Sequence, residues 1–241
     1  MCIHTLDKAA VPKMFQQAQL IRDYVFPLCV AERENDSYKF KSFLGSGFLI
    51  GKNSYALTAA HVVDGNRDNI FALFVENNQW ICFPVTVAEM HPAEDVAIIY
   101  IEFKPLKSIF YLNNSFETQS CQYRQFAYPE DMLYELEDSG KANGRPDMIY
   151  LQGYIRRRTN HPLPGIRGVQ FFELSQIGGK GCSGSPIFKM DSGSMWRVLG
   201  IYVAECVNDR GTSVSYAVRE DAFRGWIPKI LGHSILTEAG N

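Results

Sequence analysis

The stretch GCSGSP, Gly181–Pro186, decides how this chain reads. It is a turn of small residues with one serine, Ser183, followed directly by glycine. A serine hydroxyl is a weak nucleophile at its free pKa and needs a base beside it. It also needs donors aimed at the oxyanion that forms when it attacks a carbonyl. The backbone N–H groups of a tight glycine turn can supply those donors, because glycine tolerates dihedrals that other residues avoid. Taken alone, the turn reads equally well as an ordinary glycine-rich bend with a solvated serine.

Two upstream segments shift that balance. The first is TAAHVV, Thr58–Val63, in which His61 follows a strand-like run GSGFLIG (45–51), a polar turn and a short apolar run (55–57). The second is EDVAIIYIE, Glu94–Glu102, in which Asp95 opens an apolar run, with Glu94 its near competitor. His61 alone among the five histidines has this setting. The order along the chain is His, Asp, Ser, one of the arrangements in which a nucleophile, a base and an orienting carboxylate recur. A G-x-S-x-G elbow is excluded because position 185 is serine. His91 reads as a loop residue, and no second ligand stands at metal-like spacing from it.

On these residues the chain resembles the trypsin-like (chymotrypsin-fold) serine proteases. It is most similar to their bacterial-type branch, the HtrA and glutamyl endopeptidase catalytic domains, over about residues 43–226. The resemblance implies an all-β fold of two six-stranded antiparallel β-barrels, with the active site between them. It implies His61 as general base, Asp95 as its orienting carboxylate, Ser183 as nucleophile, and the N–H groups of Gly181 and Ser183 as oxyanion hole. It draws a substrate pocket from Ile177, Val203, Glu205 and Ser213. Ile177 stands where trypsin-type enzymes carry an acid, which favours a small or apolar residue on the acyl side of the cut bond. Glu205 at the rim could favour a basic group, or be a solvated loop carboxylate. Cys182 stands where trypsin-type zymogens carry the aspartate that receives a newly cut N-terminus. A neutral thiol cannot hold a buried ammonium. The expectation is therefore no N-terminal activation, and an oxyanion loop (178–181) ordered by its own contacts or by a partner.

Outside these motifs the chain reads as many short strands. They fall at 25–31, 40–50, 70–76, 80–89, 96–103, 148–158, 168–174, 186–190, 196–204 and 213–218. Residues 131–146 read as a polar loop. Helical spacing is found at 11–24 and at 220–231. The expected organisation is an N-terminal helical segment (1–24) and one peptidase domain (25–241). Within it, a first barrel spans about 25–125, a second about 145–218, and a terminal helix about 220–231.

Bulk properties narrow the partners. The chain has 241 residues, 46% hydrophobic and 21% charged, with a net charge of −2. That balance argues against a dominant attraction to nucleic acid or an anionic membrane. The one basic run, Arg156–Arg158, reads as a solvated strand end. No run approaches the roughly 18 apolar residues of a membrane span. The six cysteines are scattered without a C-x-x-C pair, so reduced thiols and a cytoplasmic location are expected. No cofactor or metal is expected. The partners expected are a protein or peptide substrate and possibly a regulatory protein. The leading function is a serine endopeptidase. Its rivals are a non-catalytic trypsin-like module that binds proteins, and an effector protease silent until a partner or signal orders it.

Overall fold

The computed structural model describes residues 2–4, 21–34, 37–65, 69–76, 79–102, 107–130, 134–138, 141–190, 196–207, 211 and 213–240. The first half contains β1 (Cys2–His4), β2 (Val25–Glu34), β3 (Ser37–Ile50), β4 (Tyr55–Thr58), β5 (Ile70–Glu76), β6 (Gln79–Met90) and β7 (Ala97–Ile101). A one-turn helix α1 (Ala60–Val63) follows β4. Strands β3, β2, β5, β6, β7 and β4 pair in that order, and β4 returns to β3, so six strands close into a ring. The short β1 pairs with both β3 and β6.

The second half contains β8 (Phe110–Leu112), β9 (Gln122–Ala127), β10 (Tyr134–Asp138), β11 (Lys141–Arg145), β12 (Ile149–Asn160), β13 (Gln170–Leu174), β14 (Pro186–Met190), β15 (Trp196–Val207) and β16 (Ser213–Arg219). Strands β9, β12, β13, β16, β15 and β14 pair in sequence, and β14 returns to β9. This is the second six-stranded ring, with β8 added in parallel to β15. The all-β double-barrel architecture is as expected.

Alternation builds the barrels locally. In β9 the buried residues are Tyr123, Gln125 and Ala127, every second position, as a pleated strand with one inward face requires. The second barrel has its own interior cluster of Tyr123, Ile155, Phe172, Leu174, Ile187, Leu199 and Tyr202, in which Cys182 is also enclosed. A larger cluster runs from the first barrel (Phe26, Phe48, Ile98) to Phe110 and Phe188 in the second half of the chain. The barrels are thus joined by apolar packing as well as by chain.

Four local expectations differ from the structure. Residues 134–138 and 141–145 form an antiparallel hairpin within the span read as a loop. The backbone ladder of a hairpin can form without an apolar pattern to announce it. Strand β9, which lies inside the stretch assigned to the first barrel, pairs with β12 and β14 of the second. Its inward Gln125 hides the apolar alternation. Finally, 220–231 is not one helix. α2 covers Glu220–Phe223, and α3 (Ile235–Glu238) follows after turns. Gly225 and Pro228 interrupt what helical spacing alone would continue. The 11–24 helix falls mostly outside the described residues, and Ile21–Asp23 form a single 3-10 turn.

Candidate active site

His61 sits on α1, directly after β4, and Asp95 lies in the short loop before β7. β4 and β7 are hydrogen-bonded neighbours, with Thr58 opposite Ala97. This pairing brings the two loops together. The Asp95 Oδ1 accepts the His61 backbone N–H at 3.0 Å. The Asp95 Oδ2 lies 2.6 Å from His61 Nδ1. The carboxylate side chain is 5% exposed and the imidazole 48%. One buried carboxylate therefore holds both the backbone and the ring of the histidine, while much of the ring stays open.

The loop that carries Asp95 is itself fixed. Glu94, the near competitor in sequence, is 2% exposed and points elsewhere. Its Oε2 accepts the backbone N–H of Val169 at 3.1 Å and of Gln170 at 3.4 Å. Arg167 Nη2 donates to the carbonyl oxygens of His91 at 2.6 Å and Pro92 at 2.9 Å. His91 Nδ1 accepts the N–H groups of Ala93 and Glu94, and its ring meets Trp226 edge-on at 5.1 Å. Burial and the Arg167 charge push the His91 pKa below its usual value. A neutral ring is also what an accepting Nδ1 needs.

Ser183 stands on the turn before β14. The turn is docked against the first barrel through Ser46, which is fully buried. The Ser46 N–H donates to the Ser183 carbonyl at 2.7 Å. The Ser46 hydroxyl donates to the Gly181 carbonyl and accepts the Tyr128 N–H, each at 3.1 Å. Thr58 Oγ1 donates to the Ser46 carbonyl at 2.7 Å. Gly184 has φ +87°. A Cβ there would collide with the Ser46 carbonyl oxygen and Thr58 Oγ1 and would lie 3.1 Å from the Ala59 nitrogen. The Ser183 turn thus abuts the chain two residues before His61. The Ser183 hydroxyl donates to the Val203 carbonyl at 3.2 Å.

The residues around Ser183 explain the spelling of its turn. Ser185 Oγ donates to the Cys182 carbonyl at 2.7 Å and accepts from Gln125 Nε2 at 2.8 Å. Cys182 is fully buried, with its thiol donating to the Gly178 carbonyl at 3.0 Å. The Glu130 N–H donates to the Lys180 carbonyl at 2.7 Å. In a planar trans peptide the C=O and N–H point opposite ways, so this bond turns the Gly181 N–H away from Glu130.

The four pocket residues are dispersed differently. Val203 is buried and meets Ser183 through its carbonyl. Glu205 folds back toward the nucleophile loop, its Oε1 accepting the Gly179 N–H and the Tyr202 hydroxyl. Ile177 is 42% exposed and forms no buried pocket floor. Ser213 pairs with Val207 at the far end of the β15–β16 ladder. Ser215, which pairs with Glu205 and donates to the Gln176 carbonyl, is the serine nearer this loop. The roles of Glu94, Arg167, Ser46 and Tyr202 were not read from the sequence. Glu94, beside Asp95, drew notice only as a competitor for its role, and Ser46, inside the run 45–51, drew none.

Other expected features have clear places. Arg156 and Arg157 both pair with Glu173, and Arg158 with Asp221. Cys29, Cys82, Cys121, Cys182 and Cys206 are free thiols. Among the described residues no His, Cys, Asp and Glu side chains gather as a metal site, and no helix is long and apolar enough to cross a membrane.

Comparison with known proteins agrees with this geometry. No curated protein sequence matches the chain. Among solved structures it is similar to the HtrA-type protease AlgW with a decapeptide, at 17% identity and a TM-score of 0.60, over 83% of this chain and 61% of that one. The chain therefore spans only about three fifths of the AlgW chain it matches. It is similar to the MamO protease domain from Magnetospirillum magneticum at 15% identity and a TM-score of 0.60, over 85% of this chain and 95% of that one. The Rv3671c protease from M. tuberculosis, active form, matches at 18% identity and a TM-score of 0.55, over 82% and 76%. At such identities the likeness carries the fold. The family model for the trypsin-like peptidase domain matches residues 45–201, and the chain belongs to that family.

Proposed function

We propose that this protein is a serine endopeptidase that cleaves peptide bonds through an acyl-enzyme on Ser183. The observation that carries the reading is the buried Asp95 carboxylate on His61, in a loop pair docked against the Ser183 turn. His61 Nδ1 donates to Asp95, so the proton-accepting nitrogen is Nε2, on the part of the ring left open. The Ser183 hydroxyl turns from the Val203 carbonyl to His61, which takes its proton as the oxygen attacks the substrate carbonyl. The imidazolium so formed is stabilised by Asp95. The anionic oxygen is received by the N–H groups of Gly181 and Ser183. His61 then gives its proton to the leaving amine, and water activated at His61 hydrolyses the ester. Neither of those two N–H groups has a hydrogen-bond acceptor among the described residues.

A peptide is the substrate that fits the surroundings. β14 pairs with β15 only as far as Ile201, while β16 pairs with its other edge on to Val207. Among the described residues, β15 from Val203 onward has no strand on that edge, which begins at the carbonyl that meets Ser183. An extended peptide can add to such an edge by backbone hydrogen bonds. The free thiols support a reducing, cytoplasmic setting.

The test is labelling by a fluorophosphonate, followed by a peptide-library cleavage profile. Wild-type protein should label and cleave, and Ser183→Ala should do neither while remaining folded. Cleavage that survives in Ser183→Ala would reject the assignment. A protease silent until triggered is the second reading, favoured by the Ser183 hydroxyl resting on Val203. It requires labelling only after a partner is added.

A further inference from the structure

The loop Gly178–Gly181 ends at the amide proposed to meet the oxyanion, so whatever sets the loop sets the site. Three of its four residues are glycine, which loses more backbone freedom on ordering than any other residue. A loop of this composition needs specific anchors. The residue before Ser183 is Cys182, which is fully buried.

The anchors lie on β15. A register shift between Tyr202 and Ala204 interrupts the ladder there. It lets the Tyr202 hydroxyl reach Glu205 Oε1 at 2.6 Å, three residues on. The Gly178 N–H donates to the same hydroxyl at 3.0 Å. The next N–H, from Gly179, donates to Glu205 Oε1. Two successive amides of the loop thus end on one phenol–carboxylate pair. Bonds to an ionised acceptor are about twice as strong as neutral ones. Tyr202 is 1% exposed within the interior of the second barrel. Burial pushes its pKa far up, so the phenol keeps the proton it donates. A Cβ at Gly178 would stand 2.9 Å from Cys182 Cβ and 3.3 Å from Tyr202 Cζ. The close approach of Gly178 to Cys182 leaves no room for a side chain there.

The rest of the loop follows from this start. The Gly178 carbonyl accepts the Cys182 thiol at 3.0 Å, and the Gly179 carbonyl accepts the Cys182 N–H at 3.2 Å. Glu130 and Ser46 hold the next two carbonyls.

We propose that Tyr202 and Glu205 are the positioning residues of the oxyanion loop, a phenol–carboxylate clamp that orders it. The proposal rests on Ser183 being the nucleophile. It differs from a merely structural role in one respect: the clamp should matter more to the anionic adduct than to the bound peptide.

The experiment uses the full chain with Tyr202→Phe, Glu205→Ala and Glu205→Gln. Each is measured for kcat and KM on a peptide from the cleavage profile, for inhibition by a peptide trifluoromethyl ketone, and for inhibition by the cleaved product peptide. The ketone carbon bonds to Ser183 Oγ, the serine proton passes to His61, and the ketone oxygen becomes the anion. The product peptide forms no anion of that kind. Tyr202→Phe and Glu205→Ala should lower kcat about tenfold or more, with KM changed less than about threefold. The ketone should weaken by a similar factor to kcat, and the product peptide much less. Glu205→Gln keeps an acceptor oxygen and should recover most of what Glu205→Ala loses. Equal weakening of ketone and product, or no change in either, would overturn the clamp. If Tyr202→Phe does not fold, the exposed Glu205 pair of variants carries the test. A wild-type protein that cleaves the peptide yet neither labels with fluorophosphonate nor forms the ketone adduct would refute the Ser183 assignment instead.

Discussion

The loop bearing Asp95 and the turn bearing Ser183 are secured by different means. The 91–95 loop is held by charged and aromatic side chains: its own Glu94 reaches out to Val169 and Gln170, while Arg167 reaches in to two carbonyls and Trp226 to His91. The 178–184 turn is held at its backbone groups, whose N–H and carbonyls meet Tyr202, Glu205, Glu130 and Ser46, with glycines at φ +91°, +94° and +87° for residues 179, 181 and 184. The contrast suits their chemistry. A carboxylate that must keep one imidazole orientation benefits from rigid side-chain neighbours. A turn that offers amides to an oxyanion must bring its backbone close to the substrate, and bulky side chains would prevent it.

Substitutions can break this contrast, and the largest effect is expected at Asp95. Asp95→Asn keeps the shape but favours the wrong histidine tautomer, and kcat should fall on the order of 10⁴-fold. Steady-state kinetics would show it, and a loss below tenfold would mean that the His61–Asp95 half is dispensable. Next comes Gly184→Ala. The new methyl meets the backbone of Ser46, which cannot swing aside, at a φ that alanine disfavours. Stability should drop by about 3 kcal/mol, seen as a lower denaturant midpoint. A neutral Gly184→Ala would show that the Ser183 turn can shift on the first barrel.

Glu94→Ala tests the side-chain half without touching Asp95. It leaves the N–H groups of Val169 and Gln170 without their acceptor, costing about 1–3 kcal/mol. A loss of kcat of roughly tenfold should accompany it as Asp95 loses its support. Unchanged kcat at full folding would mean that the His61 contacts alone hold Asp95.

The smallest effect is in pH dependence at His91. Its folded pKa is lowered, so the folded state favours the neutral ring. That contribution is present above the unfolded value near 6.5 and is lost as pH falls through that value toward the lowered one. Wild-type stability should decline over this acid window more steeply than that of His91→Gln. Equal slopes in denaturant titrations at pH 7 and 5 would argue against His91 as an anchor.

The local motifs carried most of what could be read without coordinates. TAAHVV, Asp95 before an apolar strand, and GCSGSP are short patterns, each contained within one turn and its flanking strand. They were legible because the chemistry demands particular residue types at adjacent positions. Strand β9 was not legible, since its inward Gln125 breaks the apolar alternation and donates to Ser185, 60 residues away. The terminal helix was overread, because helical spacing does not register the stops at Gly225 and Pro228. The exposure of Ile177 was not legible either, since it depends on how the loop meets β15.

The sequence by itself determined the fold class, the family and the His61, Asp95 and Ser183 candidates, because alternation, turn residues and reactive groups are written in consecutive positions. Only the tertiary structure decided what holds those groups. The Glu94–Val169, Ser46–Gly181 and Glu205–Gly179 contacts join segments 75, 135 and 26 residues apart. Hydrogen bonds between such distant partners arise from barrel closure and docking, and no local pattern of residues encodes them.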